Sequence, residues 1–114
     1  MRKIEGEQVL MRIFIGEGDR WERRPLHVVL LELFRAKGLA GATVLKGVAG
    51  FGPDAVIHEE GFFRLSSDLP LVIEVVDTRE HLDGVLPEVD RMMSGGLITM
   101  HTVHVVRYEP EGKK

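Results

Sequence analysis

The chain has 114 residues, 44% of them apolar and 29% charged, enough for one hydrophobic core and too few for two. It has no cysteine, which excludes disulfides, thiolate metal sites and cysteine nucleophiles. A net charge of −3 argues against a nucleic-acid partner. No apolar run reaches the ~18 residues of a membrane span and the polar N-terminus holds no signal core, so a cytoplasmic protein is expected.

Residues 8–15 alternate, with Val9, Met11, Ile13 and Ile15 on one face and Leu10, Arg12 and Phe14 on the other, which predicts a first strand apolar on nearly both faces. Residues 16–24 form a polar connector holding the only tryptophan, Trp21. Pro25 suits a first helical turn, where its missing N–H costs nothing. Leu26, Val29, Leu30, Leu33 and Phe34 then recur at helical spacing, and Gly38 ends the helix. Residues 42–49 predict a second strand that dissolves into Gly47, Gly50 and Gly52. Residues 53–67 are a polar loop, long for a compact domain, and such loops are often functional.

A third strand is expected over 69–76, with Leu69, Leu71, Ile73 and Val75 on one face. Asp77 with Glu80 three residues on reads as the N-terminal cap of a second helix. That helix turns Leu82, Val85, Leu86, Val89 and Met92 or Met93 inward, and Pro87 is expected to kink or split it at residues 83–86. Ser94, Gly95 and Gly96 end it, and residues 97–108 form the last strand ahead of a polar tail over 109–114.

The order β-α-β-β-α-β is the ferredoxin-like plan: an α+β domain over residues 1–114, with an antiparallel four-stranded sheet and both helices on one face. The open face would carry Leu10, Phe14, Val72 and Val76, with Ile98 and Val106 assigned beside them, so another subunit is expected to cover it. Arg12 and Glu74 are the charged residues in the middle of the first and third strands, and parity puts both on that face. They are either a cross-strand ion pair buried by oligomerisation or a pair of ligand contacts within a subunit interface.

Two glycine turns, Gly50-Phe51-Gly52 and Gly95-Gly96, expose backbone N–H groups of the kind that cradle an anion such as phosphate. In this plan they sit on different edges of one sheet and meet only across a subunit boundary. Together with Gly41-Ala42-Thr43-Val44, Gly47, Asp68-Leu69-Pro70, Val76-Asp77 and Gly96-Leu97-Ile98-Thr99, they carry a likeness. Over residues 9–106 the chain resembles the PII signalling superfamily, most closely its short PII-like branch, a domain of unknown function.

The resemblance implies a homotrimer with its sheets packed inward and nucleotide clefts between neighbouring subunits. It also implies that the 53–67 loop reports the bound nucleotide to a protein target, often a membrane transporter or channel. Thr43 matches the family threonine near the adenine base, Gly50 and Gly52 match glycines at the base of the signalling loop, and Gly96 matches the glycine beside the phosphates. Phe51 and Gly95 complete these turns, and Lys46 is a substitute phosphate partner. Leu97 stands where typical PII proteins have a phosphate-binding lysine, and the C-terminal segment with further basic contacts is missing. Each lost cation removes a charge-assisted hydrogen bond of ~1.5–3 kcal/mol. AMP or cyclic AMP is therefore expected over ATP, with AMP first and no cofactor required. The loop lacks the tyrosine that some PII proteins have uridylylated, so that modification is not expected.

His101 and His104 look like a metal pair, but i and i+3 on a strand point to opposite faces. His27 and His81 lie near helix starts, and His58 lies in the long loop. No metal site is assigned; a metal-binding or structural trimer of the same fold, without nucleotide, is the alternative function. Ser66-Ser67 near His58 lacks a third orienting residue, and nothing marks Glu59-Glu60 as acid and base. No catalytic residue is assigned, and the protein is not expected to be an enzyme.

Overall fold

The alternation near the start of the chain decides the layering. In β1 (Gly6–Gly16), Val9, Met11, Ile13 and Ile15 are buried on one side, while Leu10, Arg12 and Phe14 are half-buried on the other. β1 pairs antiparallel with both β5 (Pro70–Asp77) and β6 (Leu97–Val105), and β5 pairs antiparallel with β4 (Ala42–Lys46). The sheet order is β4-β5-β1-β6. Helices α1 (Leu26–Ala36) and α2 (Arg79–Met92) cover one face, and the core between the layers includes Met11, Ile13, Ile73 and Val75 from the sheet with Leu30, Phe34, Leu82 and Val89 from the helices. Burying each such side chain contributes about 1.5–3 kcal/mol. This is the ferredoxin-like arrangement. The computed structural model describes residues 3–52 and 68–110. Expectations resting on the 53–67 loop, with His58, Glu59-Glu60 and Ser66-Ser67, lie outside the described residues, as does the tail over 111–114.

The connector after β1 holds a small hairpin, β2 (Arg20–Trp21) with β3 (Arg24–Pro25). Its two turn residues, Glu22 at φ +50 and Arg23 at φ +72, are left-handed without being glycine or asparagine. Trp21 packs on the core and a bidentate Arg24–Glu32 pair, at 2.9 and 2.7 Å, ties the hairpin to α1. The chain enters α1 directly from Pro25 with no side-chain cap, and Gly38 at φ +75 ends it.

Three details differ from expectation. Thr78, not Asp77, caps α2, its hydroxyl accepting from the His81 N–H at 3.1 Å, because Asp77 is turned inward and fully buried. The helix runs unbroken through Pro87, since Leu82 and Val85 before it and Val89 after it are all buried, and burial on both sides offsets the one lost hydrogen bond. Ile98 faces the helices, because the register sets it beside the core residue Ile13, and Val106 lies beyond the end of β6. The face away from the helices instead takes Leu97, Thr99, His101 and Val103 from β6.

Candidate functional site

Strand register builds a polar row across that face. Thr43 stands opposite Glu74, Glu74 opposite Arg12 and Arg12 opposite Thr99. The row beside it, Leu45, Val72, Phe14 and Leu97, is wholly apolar. Arg12 Nε donates to Glu74 Oε2 at 2.8 Å, and the two side chains are 40% and 29% exposed. The cross-strand pair read from parity is therefore formed within one chain. Thr99 Oγ1 lies 2.9 Å from His101 Nε2. His101 and His104 fall opposite Leu10 and Glu7, on different faces of the sheet.

At the end of the sheet where β4 begins and β6 finishes, a cavity of ≈ 470 Å³ opens beside this row. That is within the range of about 300–1,000 Å³ typical of small-molecule sites. Thr43 and Glu74 line one side, Val76, Val105 and Ile4 give apolar wall, and Arg107 and Tyr108 come from the segment leaving β6. Arg107 is the one lysine or arginine lining it among the described residues. The wall is fixed at Ala40. Its carbonyl accepts from the Tyr108 hydroxyl at 3.2 Å, and its N–H donates to Asp77 Oδ2 at 2.8 Å. Asp77 Oδ1 also accepts from the Thr78 N–H at 2.7 Å, so a buried carboxylate is satisfied by the backbone it positions. Gly41 lines the same cavity, and a Cβ there would meet nothing within 4 Å. The fold itself does not demand a glycine at that position.

Of the nucleotide-binding residues expected from sequence, Thr43 alone lines this cavity. Lys46 shares the helix-facing side of β4 with Val44, and its Nζ sits 2.9 Å from Glu17 Oε2. That hydrogen bond from Lys46 holds the Glu17 carboxyl below its usual range. Gly50, Phe51 and Gly52 follow β4 at the far end of the sheet, where Phe51 is 89% exposed. Gly95 and Gly96 precede β6 at that same end but on the opposite edge. One chain thus separates the two glycine turns from each other and from the cavity.

Arg107 and Tyr108 were not legible as site residues. Sequence alternation runs on to residue 108 and reads as strand, whereas β6 stops at Val105 and the residues after it line the cavity. Arg107 puts a basic side chain at the cavity from the residues after β6. The one available signal was an arginine directly after an apolar β-run. Among the described residues, no group of three or more histidines and carboxylates could hold a metal ion, and no helix is long and apolar enough to cross a membrane.

Residues 8–105 match the model of the DUF190 family, described as "Uncharacterized ACR, COG1993". A UPF0166 protein of Aquifex aeolicus (strain VF5) is 38% identical over 97 residues, covering 85% of this chain and 91% of that protein. The UPF0166 protein MJ1524 of Methanocaldococcus jannaschii is 36% identical over 101 residues, covering 88% and 93%. Among solved structures, CPII of Thiomonas intermedia K12 bound to ADP and bicarbonate superposes with a TM-score of 0.56 at 20% identity, over 89% of this chain and 90% of that one. CPII bound to ADP, AMP and acetate gives 0.55 at 19% identity, over 90% and 91%. A further structure, in which CPII is described as a nitrogen regulatory PII-like protein, gives 0.57 at 16% identity, over 89% and 90%. These likenesses establish a PII-like fold, and with a family match that spans nearly its whole length, the chain belongs to the DUF190 family.

Proposed function

We propose that this chain is a PII-like regulatory protein that binds an adenine nucleotide, AMP before ATP, and signals occupancy to a protein partner through residues 53–67. The observation that carries the reading is the cavity itself: a cross-strand Thr43–Glu74 pair on one side, apolar wall beside it, and, among the described residues, a single cation, Arg107, to meet a phosphate. One lining cation suits a monophosphate better than a triphosphate. The ADP and AMP held by CPII, whose fold this chain shares, support the ligand class.

In this proposal the apolar outer face packs against copies of the same chain in a homotrimer. The turn at residues 50–52 of one subunit then meets the turn at residues 95–96 of its neighbour across the boundary between them. Lys46 reaches a phosphate only by leaving Glu17. The test is calorimetric titration with AMP, cyclic AMP, ADP and ATP, with and without magnesium, on the wild type and on Gly41→Val. Saturable binding near one nucleotide per chain, lost in the variant while its thermal melt is unchanged, is the expected result. No heat with any nucleotide overturns the reading and leaves a metal-binding or structural role.

A further inference from the structure

The inference rests on the adenine-nucleotide reading above. Glu74 lines the cavity, and among the described residues only its Oε2 is engaged, accepting from Arg12 Nε at 2.8 Å. Its Oε1 has no hydrogen-bond partner among the described residues. Charge orients a nucleotide in this space: Arg107 attracts the phosphate, while the Glu74 carboxylate, balanced by Arg12, leaves its own side of the cavity without net charge to hold one. The base is thereby directed to the side where Thr43 and Glu74 stand opposite each other, with Val76 two residues along the same strand face.

We propose that Glu74 is the base-selecting residue, its Oε1 accepting a hydrogen bond from the exocyclic amino group of a 6-aminopurine. An ionised carboxylate only accepts, so it rewards an N–H and gains nothing from a base edge that lacks one. A charge-assisted hydrogen bond in a partly desolvated site corresponds to roughly 10- to 100-fold in affinity.

The experiment compares AMP with purine riboside 5′-monophosphate, which is the same nucleotide with the amino group replaced by hydrogen. The full chain is titrated with each as wild type, Glu74→Met and Glu74→Gln. The wild type is expected to bind AMP at least about tenfold more tightly. Glu74→Met removes the acceptor and equalises the two ligands, while Glu74→Gln, whose amide oxygen still accepts, keeps the preference. If Glu74→Met does not fold, the wild-type ratio and the Glu74→Gln ratio still decide the matter. Equal wild-type affinities, loss of the preference in Glu74→Gln, or its survival in Glu74→Met each overturn the role of Glu74 while leaving the nucleotide reading intact. A wild type that binds neither nucleotide overturns that reading and this inference together.

Discussion

Replacing Gly96 and Gly52 with alanine, one at a time, separates a glycine that the fold needs from one that it does not. Gly96 has φ +109, and a Cβ there would lie 2.5 Å from the Phe14 carbonyl oxygen and 2.8 Å from Met93 Cε. The methionine terminus can swing aside, but Phe14 belongs to the central strand β1, paired on both sides, and its carbonyl cannot retreat. Backbone strain of about 1–3 kcal/mol adds to overpacking of about 1–3 kcal/mol, and the smaller unfolded-state entropy of alanine returns about 0.4–1 kcal/mol. The net cost is about 2–5 kcal/mol, a large share of a typical stability of about 5–15 kcal/mol. A Cβ on Gly52 would meet nothing within 4 Å, so Gly52→Ala should fall within about 0.5 kcal/mol of the wild type. Urea unfolding followed by far-UV circular dichroism measures both. Gly96→Ala at wild-type stability would refute the packing argument. A marked loss in Gly52→Ala would refute the claim that its surroundings are open.

Asp77→Ala leaves the Ala40 and Thr78 N–H groups without their acceptor, at about 1–3 kcal/mol for each donor left unpaired, and should speed hydrogen exchange at both amides; unchanged exchange would contradict the anchoring role. Glu17 is held below its ordinary value of 4.5 chiefly by its hydrogen bond from Lys46, so the stability it contributes is fully present above that value and is lost as the pH falls through the lowered one. Glu17→Gln should therefore melt below the wild type near neutral pH at low salt, and the two should converge in acid once the pH has fallen through the lowered value; a gap that persists in acid would assign the effect to something other than the charge. The hairpin turn stores strain at two left-handed side-chain-bearing residues, so Glu22→Asn with Arg23→Gly should raise stability by about 1 kcal/mol, read as a higher urea midpoint at constant slope. No gain would mean that the wild-type side chains offset the strain.

The fold was largely legible because its two periodicities are clean. Alternation in β1 and β5 and the helical spacing of Leu26, Val29, Leu30 and Phe34 each state which side is buried, and the observed burial follows them. The hairpin over residues 20–25 was hidden for two reasons. Its strands are two residues each, too short to alternate, and its turn carries Glu22 and Arg23 where glycine or asparagine would have marked it. The edge strand β6 was assigned its faces wrongly at Ile98 because half-buried positions on both sides blur the pattern, leaving register with β1 to decide. The candidate site was less legible than the fold. Thr43 was placed through its motif, but Arg107 and Tyr108 join it from beyond the end of β6, and no local sequence rule marks where that strand stops or what the residues after it line.

The polar row constrains what can lie on the outer face. Arg12 uses one of its five N–H donors within the described residues, and Glu74 one of its two oxygens. Covering this pair with purely apolar surface would desolvate both charges and leave those groups unsatisfied, at several kcal/mol per ion. A partner must therefore be apolar beside Leu45, Val72, Phe14 and Leu97 yet offer hydrogen-bonding groups beside Arg12. A second copy of the same face meets both demands, since it carries the same apolar row next to the Thr43 and Thr99 hydroxyls. It also brings no net charge, because Arg12 and Glu74 cancel. Replacing both residues by leucine in the proposed trimer tests this logic. Such pairs stabilise less than apolar packing does, so the double variant should still associate, and its stability should rise by about 1–4 kcal/mol, read as a higher urea midpoint. If the pair sets register, size-exclusion chromatography with light scattering should show a mixture of assemblies in place of one. A single assembly with wild-type mass would show that the apolar rows alone align the copies, and that the Arg12–Glu74 pair does not set register.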